Sequence, residues 1–164
     1  MSLFEVCQWI QDSQVGTVIR ESIWIYPIIL SVHLLALGTS VGTLLWFDLR
    51  LLGVFMRSRP VSEVYRSVMP WMAGGFVTMF LSGGLLFWAL AAKCYGNTYF
   101  RIKLVAILLA GINALVFHRM TERSIDEWDT AAVPPLKARI AGLLSIACWM
   151  VTMVAGRRIV AGLQ

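Results

Sequence analysis

Four long apolar segments dominate the sequence and constrain its fold more than any other feature. They cover roughly residues 23–47, 71–92, 102–117 and 138–155. A helix rises 1.5 Å per residue, so about 20 apolar residues are enough to cross a hydrocarbon layer ~30 Å thick. The segments therefore predict an all-α fold, an integral membrane four-helix bundle that forms a single transmembrane domain over residues 1–164.

The composition agrees with an exterior that meets lipid. Only 14% of the residues are charged, whereas about 25% is typical of a soluble protein. The net charge of +5 comes from Lys and Arg residues scattered between the apolar segments, without a dense basic patch. We therefore expect the lipid bilayer as a partner and no nucleic acid.

The first 21 residues precede the apolar segments and differ from them. Leu3, Phe4, Cys7 and Ile10 recur at helical spacing, which is typical of an amphipathic helix lying in the membrane interface. The sequence therefore predicts a short N-terminal interfacial helix over residues 1–21, with a frayed tail as the alternative.

Both histidines of the chain lie in or at the end of an apolar segment. His33 is in the first segment, and His118 closes the third. Ionisable side chains at membrane depth are costly and are functional candidates by default, and imidazole is a common axial ligand of haem. One haem between two helices needs two axial ligands, so the pattern predicts haem b with its iron bound by His33 and His118. Gly111 and Ala114, behind His118 on the same helix face, would leave a slot for the porphyrin ring.

The depths of the two histidines leave other arrangements open. Counted from the start of each segment, they differ by ~6 Å. Helix tilt could absorb that offset. Without it, His33 would pair with Met150 or Met153 on the fourth helix, and His118 would lie at the membrane edge. Ordinary hydrogen-bonded histidines are the remaining interpretation.

Basic and small residues add two further expectations. Arg50 and Lys103 lie near the ends of the first and third segments, where they would either reach the lipid headgroups or pair with haem propionates or an anionic substrate. Small residues recur in the segments, as in the GxxxG pattern of Gly38 and Gly42. Such stripes predict close contacts between helices in lipid.

Two stretches of sequence resemble a bacterial family of small four-helix membrane proteins of unknown function. They are WIYPIILSVHLLALGTSVGTLLWFDLRLLG and YGNTYFRIKLVAILLAGINALVFH, and the match also includes Gly75–Phe76 and the final GRRIV. More distantly, the first helix is similar to the membrane protoporphyrinogen oxidase of haem synthesis and to the copper-resistance D membrane domain. The oxidase resemblance implies b-type haem at His33, and the copper resemblance implies His33 with methionines. The histidine-to-arginine spacing departs from that of the oxidase, which leaves the reaction open. The family resemblance implies a multi-pass protein of the bacterial inner (cytoplasmic) membrane.

Together these features predict a membrane b-type haem protein that passes electrons to or from a quinone or a partner redox subunit. It would be an oxidoreductase or the electron-transfer subunit of one. One alternative is a copper or small-solute transport protein in which the thioethers of Met150 and Met153 bind Cu(I). The other is a non-catalytic structural subunit, or a homo-oligomer, that packs through its glycine stripes. Motifs of hydrolases and ATPases are not recognisable in the sequence.

Overall fold

The computed structural model describes residues 2–121 and 125–161, which form seven helices and no strand. In chain order they are α1 (Leu3–Gln11), α2 (Gln14–Glu21), α3 (Ile25–Leu51), α4 (Val61–Gly96), α5 (Thr98–Thr121), α6 (Ile125–Trp128) and α7 (Leu136–Ala161).

Four of these helices, α3, α4, α5 and α7, are long and apolar enough to cross a membrane. This confirms the prediction of an all-helical chain with four candidate membrane-spanning helices. Large apolar side chains are exposed along all four, and such an exterior suggests contact with a lipid bilayer.

The helices extend beyond the predicted segments at most of their ends. The largest difference is at α4, which begins at Val61, ten residues before the predicted segment. Pro60 is its N-cap residue, and Pro70 is accommodated inside the helix. Gly53 ends α3 in a left-handed conformation with φ 69°, which glycine adopts without steric cost.

The four long helices form two pairs. α3 packs along α4 and α5 packs along α7, while α3 and α7 join the pairs and α4 barely touches α5. One buried residue from each long helix meets in the centre: Ala36, Met79, Ala110 and Trp149. The Trp149 ring lies 5.0 Å from that of Phe76, centroid to centroid. Aromatic side chains, rather than close backbone contacts, therefore join α4 to the other pair.

The contact between α3 and α4 is close enough to require glycine. A Cβ at Gly75 would lie 2.8 Å from the Ser40 Cβ and 2.9 Å from the Ser40 backbone nitrogen. Gly38 and Gly42 were also predicted at a helix contact, but no atom of the described chain lies within 4 Å of a Cβ at either position. Gly75 therefore lies at a close contact between two helices, as predicted for the small residues. Gly38 and Gly42 do not contact another helix in the described chain.

The N-terminal segment forms two helices instead of one. Ser2 and Glu5 make a capping box at the start of α1, and the Ser13 side chain caps α2 by accepting from the Gly16 N–H. Both helices pack against the C-terminal half of α4. Trp9 on α1 remains 70% exposed, as expected for an amphipathic segment with an apolar outer face.

This helical hairpin is attached at a kink in α4. Leu90 has non-helical backbone angles of φ −133° and ψ 28°. Next to it, the backbone N–H of Ala92 donates to the Gln11 side-chain oxygen at 3.1 Å, and Arg20 donates to the carbonyl of Ala89 at 3.4 Å. The α1–α2 hairpin therefore supplies hydrogen-bond partners for backbone groups of α4 at the kink, where the helical hydrogen-bond pattern is interrupted.

Candidate functional site

His33 lies where α3 and α4 approach each other closely. Its side chain is half-buried, and Nδ1 lies 3.0 Å from the Ser82 hydroxyl oxygen on α4. A Cβ at Gly83 would lie 3.1 Å from His33 Cε1 and 3.5 Å from Nδ1. The Nδ1–Cε1 edge of the ring therefore faces α4, at a point where glycine leaves room for it.

The hydrogen bonds around Ser82 determine which nitrogen of His33 carries the proton. Ser82 donates its single hydroxyl hydrogen to the Thr78 carbonyl at 2.6 Å, so it accepts from the histidine. The Met79 carbonyl lies 3.3 Å from the same hydroxyl. We therefore assign the hydrogen of the neutral ring to Nδ1. Nε2 then keeps its lone pair, and it has no hydrogen-bond partner within residues 2–121 and 125–161.

Lys103 approaches the same end of the bundle from α5. Its Nζ lies 3.7 Å from the position that a Cβ would take at Gly156 on α7, and it is close enough to His33 and Cys94 to interact with them electrostatically. In the described part of the chain, no carboxylate lies within ion-pair distance of this amine. The structure thus brings His33 and Lys103, two of the predicted site residues, to one end of the bundle and leaves the amine without an anion.

His118 lies toward the opposite end of the bundle. Its neighbour Phe117 packs edge-on against Phe47 of α3, with 5.9 Å between the ring centroids. Phe47 follows His33 by 14 residues on the same helix, which corresponds to ~21 Å along its axis. The arrangement therefore does not bring His33 and His118 together as two axial ligands of one iron.

Gly111 and Ala114, the predicted porphyrin slot, are exposed on the outer face of α5. A Cβ at Gly111 would have no atom of the described residues within 4 Å. The face that α5 buries instead carries Ala106 and Ala110. The described chain therefore does not enclose the predicted slot.

The two methionines considered as alternative ligands differ in exposure. Met150 is 53% exposed, whereas Met153 is half-buried. Trp149 on α7 and Ala36 on α3 belong to the same buried cluster at the centre of the bundle. Met153 lies one turn after Trp149, and His33 lies one turn before Ala36. Because α3 and α7 run antiparallel, Met153 has about the depth of His33. Within the described residues, no group of three or more His, Cys, Asp or Glu side chains could hold a metal ion.

Arg50 lies ~25 Å from the level of His33, since 17 residues separate them on α3. Its side chain is fully buried, with Nε donating to the Arg59 carbonyl at 2.9 Å and Nη2 to the Ala131 carbonyl at 3.0 Å. Nη1 is buried without a hydrogen-bond partner among the described residues. Arg50 was predicted at the rim of the haem or at the headgroups. In the structure, Arg50 instead joins the α3–α4 loop to the loop that precedes α7.

Carboxylates complete this second polar end of the bundle. Both oxygens of Asp129 accept from Ser62 at 2.7 Å, one from its backbone N–H and one from its hydroxyl, at the start of α4. Asp48 is buried, and its carbonyl oxygen lies 3.1 Å from the position that a Cβ would take at Gly142 on α7. These contacts tie α3, α4, α7 and the connecting loops together, which is a structural role.

Ser82 is the site residue that sequence reasoning missed. It is a buried hydroxyl inside an apolar helix, followed by two glycines. A polar side chain in such a helix commonly bonds to a neighbouring helix. That signal was present in the sequence, but the partnership with His33, 49 residues earlier, depends on the packing of α3 against α4.

Comparison with known proteins places the chain in a family and goes no further. No curated protein and no solved structure shows significant similarity to it. The model of a family of unknown function, DUF6644, matches residues 6–162. This match covers nearly the whole bundle, from within α1 to the end of α7. The chain belongs to the DUF6644 family.

Proposed function

We propose that this chain is a multi-pass protein of the bacterial inner membrane that binds b-type haem through His33 and passes electrons. The exchange partner would be a membrane quinone or a partner redox subunit. The exposed apolar faces of the four long helices support insertion into a bilayer. The first feature that supports haem is the position of the hydrogen on the His33 ring.

Metal-binding histidines commonly donate their second ring N–H to a neighbouring acceptor, which fixes the tautomer and the orientation of the ring. His33 has this arrangement, because Nδ1–H donates to Ser82 and the serine hydroxyl is itself oriented by the Thr78 carbonyl. Nε2 is thereby left as the nitrogen that can bind iron.

Two further features fit a haem better than a bare metal ion. Haem carries carboxylates, and Lys103 supplies an amine without an anionic partner close to His33. The two helix pairs also meet largely through rings, as between Phe76 and Trp149, and apolar rings can pack against a porphyrin face. Bound haem would supply a one-electron couple. The chain's own residues would bind, orient and shield it.

A second axial ligand is not required for the proposal. Met153 is half-buried on α7 near the depth of His33, so it is our candidate to approach from the other helix pair. His118 lies too far along the bundle to share the same iron.

The test is the reduced-minus-oxidised absorption spectrum of the protein purified in detergent from haem-replete cells. We expect a reducible Soret band that is lost in His33→Ala and retained in the matched control His118→Ala. Ser82→Ala should retain haem with a shifted midpoint potential, because the hydrogen bond to the ligand is removed while Nε2 remains. A colourless wild-type protein, or equal haem in His33→Ala and the wild type, would refute the proposal.

A further inference from the structure

A groove between α5 and α7 has an apolar lining, and an arginine lies at one of its ends. It has a volume of about 420 Å³ and opens on the outer surface of the bundle. Ile102, Val105, Leu109 and Val151 line it along its length. Arg101 and Thr98, two exposed residues, lie at its end nearest the start of α5.

The length of the groove corresponds to one leaflet of a bilayer. Arg101 and Leu109 are eight residues apart on α5, which gives ~12 Å along the helix. Half of a ~30 Å hydrocarbon core is ~15 Å. In a membrane, the floor would face the acyl chains of one leaflet, and Arg101 would lie near its headgroups.

Arg101 has unused hydrogen-bond donors at this position. Nη2 donates to the Tyr95 carbonyl at 3.1 Å, and the guanidinium carbon lies 5.7 Å from the centre of the Tyr95 ring. A guanidinium has five N–H donors in a planar fork. In the described residues, no carboxylate is within ion-pair distance of it. The remaining donors are exposed and suit the oxygens of a phosphate.

We propose that this groove binds one anionic phospholipid, with an acyl chain along the α5–α7 floor and its phosphate at Arg101 and Thr98. The charge of Arg101 selects the headgroup, and the apolar floor holds the chain. The proposal rests on the membrane insertion proposed above and does not depend on haem. An unpaired guanidinium favours a lipid of net negative charge, such as phosphatidylglycerol, over phosphatidylcholine, whose choline group offsets the phosphate charge.

The experiment is native mass spectrometry of the detergent-solubilised full chain, given phosphatidylglycerol and phosphatidylcholine in equal amounts. Only protein that stays in membranes through an alkaline carbonate wash is used, so failure of membrane insertion is detected separately. We expect one retained phosphatidylglycerol per chain, in several-fold excess over phosphatidylcholine. Arg101→Gln should lower this retention about tenfold, since hydrogen bonds to charged groups have about that effect on affinity.

Two variants separate this site from general attraction of anionic lipid. Arg66→Gln removes the same charge from an exposed position on α4, outside the groove, and should leave retention unchanged within about twofold. Ala147→Phe keeps Arg101 and fills the groove from an exposed position on α7, so it should lower retention of both lipids. Equal retention of the two lipids by the wild type, equal loss in Arg101→Gln and Arg66→Gln, or full retention in Ala147→Phe would each overturn the proposal. Haem content is measured on the same samples, so failure of the haem proposal is read separately.

Discussion

Gly75→Ala tests the closest approach between α3 and α4. The added Cβ would lie 2.8 Å from the Ser40 Cβ, 2.9 Å from the Ser40 nitrogen and 3.1 Å from the Ala36 carbonyl oxygen. Two of these atoms belong to the α3 backbone, so side-chain rotation cannot relieve the overlap. Carbon atoms pack best at ~3.5–4.0 Å, and the two helices would therefore have to separate by ~0.7–1.2 Å. Overpacking of this kind costs about 1–3 kcal/mol in free energy of unfolding.

The neighbouring Gly74 provides the control. A Cβ at Gly74 would have no atom of the described chain within 4 Å. Both substitutions gain about 1 kcal/mol of helix propensity, so this gain cancels when the two variants are compared. We expect Gly75→Ala to be about 1–3 kcal/mol less stable than Gly74→Ala, and Gly74→Ala to be as stable as the wild type or slightly more so.

The assay is reversible unfolding in mixed micelles by increasing sodium dodecyl sulfate, followed by tryptophan fluorescence. Trp149, one of seven tryptophans, is buried with Ala36, Met79 and Ala110, so the summed emission should change when helix packing is lost. The wild type and both glycine variants are measured under the same conditions. Unfolding free energies for Gly75→Ala and Gly74→Ala that agree within about 0.5 kcal/mol would refute the close approach of α3 and α4 at this level.

Two other substitutions test the polar contacts that hold the ends of the bundle, in the same unfolding assay. Arg50→Lys should lower the free energy of unfolding by about 2–3 kcal/mol, because an ammonium cannot reach the separate backbone carbonyls that the buried guanidinium bonds. Arg66→Lys, at an exposed position, should change it by less than about 0.5 kcal/mol, and similar losses in both would contradict the buried network. Gln11→Leu should cost about 1–3 kcal/mol by leaving the N–H of Ala92 without its acceptor at the α4 kink. Gln8→Leu on the exposed side of α1 should be nearly neutral, and hydrogen exchange at Ala92 should rise in the first variant and not in the second.

Hydropathy was sufficient to predict the four long helices, because it depends on residue type along the chain and not on tertiary contacts. The ends of α4 were harder. The residues after Pro60 include Ser62, Glu63 and Arg66, which a hydropathy criterion excludes, yet they continue the same helix. Asp129, 67 residues later, bonds to Ser62 at its start. A contact of that separation leaves no local sequence signal.

The sequence was enough to select candidate residues of the site, but it was not enough to predict which of them lie close together. His33 and Lys103 stand out as ionisable residues within apolar segments, and the structure brings them to the same end. Two histidines in two parallel helices also suggest a common site, but the register of α5 against α3 follows from ring contacts such as Phe47 with Phe117. A shift of a few residues in that register moves a side chain by several ångström. Segment limits read from hydropathy are too coarse to fix it.

The two polar ends of the bundle differ in how far the protein satisfies its own polar groups. At the Arg50 end, backbone carbonyls accept from Nε and Nη2, the Asp129 carboxylate is bonded at both oxygens, and Nη1 is the guanidinium nitrogen left over. At the other end, the described residues leave His33 Nε2 without a hydrogen bond and Lys103 without an anion, and both side chains are half-buried. Polar groups held in apolar surroundings without partners are costly. The two ends therefore differ in access: Nη1 of Arg50 is buried within its network, whereas His33 and Lys103 are half-buried, at the end where we propose that haem binds.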